Sequence, residues 1–346
     1  MIARLKNLLL TEGVSPEMEL ESRKGGAGPV GSYLILENST VNFRINRKSR
    51  LRLVREDGEY SLIFQNTRIP VRVPERPRFY DEKIGDLPMW MIARRHGRDV
   101  LASTVLQRCH LKELGKGCRF CGIELSLKAG ETVEMKTPEM LAETARVAKE
   151  YGDASHVTLT TGKFRDEREE IRVMSEAASR IKESSGMPVH VQITPPEEIG
   201  LLEELECDTL GIHIESFDPE VLRKFAPGKF EMRDRLIKSL ERASELFGES
   251  QVSTFIILGL GEDVGMTLEG CREILQLGII PYPVPFRPIR GTEMESHPVP
   301  SPEYTEKIFR SIAELMKDYG VNPRRNLAGC VRCGGCSAIE EYLAEV

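Results

Sequence analysis

The stretch RDVLASTVLQRCHLKELGKGCRFC, residues 98–121, decides how this chain is read. Its first half, VLASTVLQ at 100–107, is a short apolar and β-branched run of strand length. Its second half sets Cys109, Cys118 and Cys121 in a C-x8-C-x2-C loop directly after that strand. The same strand-then-helix rhythm recurs downstream. HVTLTTG (156–162), PVHVQITP (188–195), TLGIHIES (209–216), QVSTFIILGLG (251–261) and IIPYPVPFRPI (279–289) read as strands. Helical patterns lie between them at 137–152, 171–186, 197–205 (EEIGLLEEL), 232–248 and 267–278, and a last one follows at 301–320. Six strand–helix units at this spacing imply a parallel sheet. Six fall short of the eight of a closed barrel, so the expected α/β fold is an open, partial (β/α)6 barrel with its chemistry at the C-terminal strand ends. Those ends carry Cys109, Thr160, Thr161, Gly162, Glu215, the GLGE at 259–262, Phe286 and Arg287.

Outside this core the rhythm changes. The glycine-rich KGGAGPVG at 24–31 reads as a hinge or turn, and alternating segments from 32 to 75 read as a small antiparallel β module. PERPRFYD at 74–81 reads as a linker closing that module. The expected organisation is an N-terminal β-rich module and linker (1–97), a barrel core (98–295), and a C-terminal helix with a cysteine-bearing tail (296–346).

The chain has 346 residues, 40% hydrophobic and 29% charged, with a net charge of −6. That balance suits a folded protein and speaks against generic nucleic-acid binding. No apolar run approaches the ~18 residues of a membrane span, and no secretory h-region is evident, so a cytoplasmic protein is expected. Arg44, Arg47, Lys48, Arg50, Arg52 and Arg55 form a basic stretch, read either as a solvated strand face or as a dock for an acidic carrier domain.

Six of the eight cysteines fall into two triples. Cys207 and Cys271 stand apart and read as ordinary buried cysteines. Three thiolates on the first loop do not complete a four-ligand zinc site. On a [4Fe–4S] cube they leave one iron without a protein ligand, a vacancy that a chelating small molecule can fill. The alternative is a zinc site that recruits Cys333 and Cys336. The second triple, Cys330, Cys333 and Cys336 in C-x2-C-x2-C, reads as another iron–sulfur loop, with a zinc knuckle or structural clip as the alternative. Its fourth ligand stays open among Ser337, Cys207, Cys271 and an N-terminal residue.

Taken together, these residues resemble the radical S-adenosylmethionine (SAM) superfamily. Cys118-Arg119-Phe120-Cys121 is similar to the end of that family's cysteine loop, with Phe120 in the aromatic place. The x8 spacing departs from the usual x3. The resemblance implies that Thr160, Thr161 and Gly162 hold the SAM amino group, that Glu215 meets the ribose, and that Arg223 meets the carboxylate. It further implies that Gly259 and Gly261 admit the adenine, and that Phe286 and Arg287 end the sixth strand as in biotin and lipoyl synthases. The cofactors it implies are SAM and two [4Fe–4S] clusters, ligated by Cys109, Cys118 and Cys121 and by Cys330, Cys333 and Cys336.

RPRFYD, HIES, PGK, QVSTF, GLGED, VPFRPI and CGGCSA extend the likeness to radical SAM proteins of bacterial nitrilase gene clusters. They extend it also to one component of the archaeal two-subunit lipoyl synthase. The leading expectation is therefore a sulfur-inserting enzyme acting on an octanoyl chain carried by a protein lysine, with the second cluster as sulfur donor. Its implied partners are an octanoylated lipoyl-carrier protein or peptide, a sister radical SAM subunit and a low-potential electron donor. Two alternatives stand beside it: a radical SAM enzyme of nitrile or amide metabolism whose second cluster anchors substrate or relays electrons, and a non-catalytic iron–sulfur or zinc protein.

Overall fold

The computed structural model describes residues 2–20 and 32–346, so the glycine-rich 24–31 lies outside the described residues. Six parallel strands make the central sheet: β1 (Val100–Thr104), β2 (His156–Thr160), β3 (Val189–Ile193), β4 (Thr209–Ile212), β5 (Val252–Leu258) and β6 (Ile280–Pro285). They pair in sequence order, and Arg94–His96 adds an antiparallel edge beside β1. The strands are buried on both faces, which is why they read as apolar runs rather than alternating ones. The result is the expected partial (β/α)6 barrel.

The outer helices are α1 (Pro138–Glu150), α2 (Glu167–Ser185), α3 (Arg233–Phe247), α4 (Val264–Gln276) and α5 (Pro302–Tyr319). Side chains of Thr137, Asp166, Asp263 and Ser301 accept backbone N–H bonds at the starts of α1, α2, α4 and α5. One expected helix is absent. Residues Ile199–Glu204 form a 3-10 segment instead. Pro195 and Pro196 precede it and Gly200 interrupts it, and its adjacent Leu201 and Leu202 are both buried, a pattern without helical period.

The N-terminal region is β-rich as expected but splits into two sheets. A hairpin pairs Ser32–Leu36 with Ser39–Phe43, and a meander joins Arg52–Glu56, Glu59–Phe64 and Thr67–Val71. Its buried residues share one continuous core with the barrel. The supposed linker at 74–81 is packed, not spanning: Phe79 is fully buried and its N–H donates to Asp153 Oδ2 at 3.1 Å. Three of the six residues of the basic stretch are paired. Arg50 holds Glu12 at 2.6 Å, Arg52 pairs with Glu17, and Arg55 lies over the Tyr60 ring.

The tail does not trail into solvent. Asn326 Nδ2 donates to Ser250 O at 2.8 Å, Gly329 N–H to His156 Nδ1 at 2.9 Å, and Thr209 Oγ1 to Ala328 O at 3.4 Å. Ser250, His156 and Thr209 stand at the starts of β5, β2 and β4, so the tail closes the N-terminal end of the barrel. Only glycine fits at 329, where φ is +83° and a Cβ would sit 2.3 Å from the His190 ring. Among the described residues no helix is long and apolar enough to cross a membrane.

Candidate active site

A cavity of about 380 Å³ occupies the barrel interior. The loop after β1 brings Cys109, Cys118, Cys121 and Phe120 to its wall; the tail brings Cys330 and Cys336 to the same wall. All eight cysteines are thiols rather than disulfides. The two triples thus reach one chamber from opposite directions, the first at the C-terminal strand ends and the second from the sealed base. Apolar side chains also line the chamber, among them Ile193, Phe255, Ile257 and Val284. Cys333 sits just behind the wall, where a Cβ on Gly97 would come within 2.8 Å of its sulfur.

At the upper end, Glu215 holds a left-handed backbone (φ +65°), a conformation costing a non-glycine residue about 1–3 kcal/mol. Two backbone bonds to one edge of β5 keep it there: Glu215 N–H to Phe255 O at 2.9 Å and Ile257 N–H to Glu215 O at 2.8 Å. The conformation turns its carboxylate onto Lys229, whose Nζ lies 2.5 Å from Oε1 and 2.6 Å from His213 O. Burial alone disfavours the lysine charge, but Glu215 and Cys118 outweigh it and hold the lysine above its ordinary range. Burial is the main cause that raises the Cys118 and Cys121 thiols, with Lys229 and Lys112 acting against it, so a cation bound at the site would favour their deprotonation.

His213 stacks on Phe255 with ring centroids 4.1 Å apart, and its Nδ1 accepts the Phe255 N–H at 3.2 Å. That leaves Nε2 as the protonated nitrogen of a neutral ring, buried and without a partner among the described residues. Burial, then Lys229 and His190, push this imidazole well below its usual range. Across the chamber, Lys136 is buried with no carboxylate paired to it among the described residues. Its Nζ donates to Thr104 O at 2.7 Å, and burial pushes it down to about 7.

Most residues expected from sequence converge here. Phe120, Thr160, Thr161, Gly162, Glu215, Phe286 and Arg287 line the cavity, and a Cβ on Gly162 would lie 1.8 Å from Arg108 O, next to Cys109. Arg223 does not join them. It is half exposed on its helix, paired with Glu220 and lying over the Phe230 ring. Gly259 and Gly261 are also outside the wall. Their positive φ values shape a turn in which the N–H groups of Gly259 and Leu260 donate to Glu262 at 2.7 and 2.8 Å. Lys229, His213 and Lys136 were not given site roles from sequence, although Lys229 stands in the PGK segment and His213 opens HIES.

At the lower end, Asn42 Nδ2 approaches Cys336 Sγ at 3.7 Å and Gln192 Nε2 approaches Cys330 Sγ at 3.6 Å. Among the described residues no three His, Cys, Asp or Glu side chains group tightly enough to hold a single metal ion. An iron–sulfur cube gives each thiolate its own iron, so its ligands stand farther apart than those of one ion. Ser337 Oγ is committed to Pro283 O at 2.6 Å. Cys207 is partly exposed ahead of β4, and Cys271 is buried within α4.

Residues 104–272 match the family model described as the radical SAM superfamily. This stretch is a radical SAM domain. The chain is 22% identical over 249 residues to bacteriochlorophyllide c C-7(1)-hydroxylase of Chlorobaculum limnaeum, covering 64% of this chain and 61% of that protein. It is 26% identical over 196 residues to biotin synthase of Leptospira biflexa, covering 55% of this chain and 54% of that one. The chain thus spans between half and two thirds of these relatives. Among solved structures, a radical SAM methyltransferase from Sphaerobacter thermophilus aligns over 85% of this chain and 82% of its own at 15% identity, TM-score 0.48. Methylornithine synthase aligns over 64% and 63% at 20% identity, TM-score 0.47.

A radical SAM domain implies one [4Fe–4S] cluster and SAM. The residues present suit both: three thiols on the loop after β1 supply the donor set, and the chamber beside them is lined by Thr160, Thr161, Gly162 and Glu215. The buried carboxylate of Glu215, held by Lys229, offers an acceptor to ligand hydroxyl or amino groups.

Proposed function

We propose that this radical SAM protein inserts sulfur into an octanoyl chain carried on a protein lysine, as one component of a two-subunit lipoyl synthase. The observation that carries the reading is the shared cavity, with Cys109, Cys118 and Cys121 at one end and Cys330 and Cys336 at the other. An alkyl segment between the ends would meet apolar walls. When bound, the first cluster and SAM supply a carbon-centred radical able to take hydrogen from an unactivated C–H bond. The chain's own residues do the rest. Phe255, Ile257 and Val284 exclude water and aim the alkyl chain, while Glu215 and Lys229 fix the nucleotide end. In this reading a second cluster on Cys330, Cys333 and Cys336 donates sulfur, and the partners are an octanoylated carrier, a sister subunit and a low-potential reductant acting in the cytoplasm.

The test is anaerobic turnover of the reconstituted chain with an octanoyl-lysyl peptide and SAM, with and without a sister subunit. Joint replacement of Cys330, Cys333 and Cys336 by alanine is expected to preserve 5′-deoxyadenosine release and to abolish thiolated peptide. Thiolated peptide from that variant would overturn the donor role.

A further inference from the structure

An alkyl chain held only by apolar walls can slide along its own axis, because burial is non-directional and one methylene resembles the next. Phe255, Ile257 and Val284 line the cavity and can keep such a chain inside it, but they cannot select one of its carbons. Selection takes a directional contact to a polar group at the end of the chain. The cavity wall carries a donor suited to that contact.

Among the described residues three lysines are buried: Lys6, Lys136 and Lys229. Glu341 holds Lys6 at 2.8 Å and Glu215 holds Lys229 at 2.5 Å. Lys136 has neutral partners instead. An ammonium offers three N–H groups. Two of them reach Thr104 O at 2.7 Å and Gln107 Oε1 at 3.4 Å, and the third has no acceptor among the described residues. Lys136, Thr104 and Gln107 all line the cavity.

The amine is also held in place. The Lys136 backbone N–H donates to Val105 O at 3.0 Å, which fastens it beside β1. Gln107 Nε2 donates to Ile123 O at 2.7 Å and to Ser126 Oγ at 3.0 Å, so its Oε1 stays turned toward the lysine. Ile123 closely follows Cys121, and this chain of bonds ties the amine to the first cysteine loop. Other polar groups on the wall differ in kind. The unpartnered hydroxyls of Thr158 and Thr194 are neutral and can serve a water as donor or acceptor, and His213 stands next to Glu215 at the nucleotide end.

We propose that Lys136 sets the register of the acyl chain by donating its third N–H to the carbonyl oxygen of the amide that joins the chain to its lysine. This rests on the acyl-lysine reading above. The bond fixes one end of the chain, the apolar walls hold the remainder, and together they decide which carbon faces the radical. No covalent bond changes at the lysine.

The test compares ligands as well as variants, so that a general disturbance of the fold does not imitate the result. Reconstituted chain with SAM and no reductant is titrated by anaerobic calorimetry at about pH 6, where the amine carries its proton. The ligands are an octanoyl-lysyl peptide, its ether analogue with –O–CH2– in place of the amide, and octanoate. The parent is expected to bind the amide about tenfold more tightly than the ether, and Lys136→Met to bind the two within about twofold of each other. With reductant and peptides deuterated at single carbons, the parent should pass deuterium to 5′-deoxyadenosine from a restricted set of positions, and Lys136→Met from a broader run of neighbouring ones. Discrimination retained in Lys136→Met would overturn the assignment to this lysine alone. Octanoate bound more tightly than the peptide would overturn the amide as the group recognised. A parent that binds neither peptide would overturn the acyl-lysine reading itself.

Discussion

Lys229 Nζ and Glu215 Oε1 are 2.5 Å apart, with side chains only 10% and 12% exposed, directly beside the first cysteine triple. The pair joins a residue in strained backbone to a lysine from the short Pro227–Glu231 helix. Removing either partner alone leaves an uncompensated buried charge. Lys229→Met is therefore expected to cost about 3–5 kcal/mol of folding stability in denaturant titrations. The double variant Lys229→Met with Glu215→Gln should recover most of that loss but bind SAM at least tenfold more weakly. Tight SAM binding by the double variant in anaerobic calorimetry would deny the pair its place in the site.

Arg223 provides the opposite case. It lies on an exposed helix face with Glu220, and exposed pairs of this kind contribute about 0–1 kcal/mol. Arg223→Ala should change stability by less than about 1 kcal/mol and SAM affinity by less than about threefold. A loss of affinity of tenfold or more would mean that this side chain swings inward on binding.

Gly162 stands where any side chain must collide with backbone, since a Cβ would lie 1.8 Å from Arg108 O. Gly162→Ala is expected to destabilise by about 1–3 kcal/mol and to displace the start of the cysteine loop. Iron content at the first site should fall several-fold, read by comparing Gly162→Ala with its parent in a chain lacking the second triple. Full iron loading would show that the loop absorbs the strain.

Lys136 gives the metal-free protein a defined pH dependence. Its folded pKa is near 7, well below its ordinary value of 10.5, so the unfolded chain binds the extra proton across that interval. Folding stability therefore rises with pH above 7, by up to about 1.4 kcal/mol per unit. Above pH 9 the buried thiols act in the other direction, because their folded pKa values are raised. Between pH 7 and 9 the wild-type slope should exceed that of Lys136→Met. Parallel slopes would show that the amine keeps its proton when buried.

The barrel was legible because each parallel strand is buried on both faces and so announces itself as an unbroken apolar run, HVTLT and VSTFIIL being examples. The first cysteine loop was equally legible, since a strand end fixes where its chemistry must lie. Other features could not be read from spacing. Arg223 and Lys229 are both basic residues shortly after Glu215, and only the break at Ala226-Pro227 sends the second one inward. The glycines of GLGE carry the positive φ that sequence suggests, yet they serve the turn around Glu262 rather than the cavity. The destination of the second triple was also hidden. A C-x2-C-x2-C pattern tells how three sulfurs converge, but not that Gly329 lies against His190 inside the barrel base.

The segment that plugs that base follows all six strands in the chain. During synthesis the sheet can therefore curl while its floor is still missing, and the lower chamber stays open until 326–337 emerges and docks. The upper metal site has no such dependence on the plug. Order of translation thus builds a schedule into the molecule: the nucleotide end can be furnished first, and the lower end is enclosed only as folding finishes.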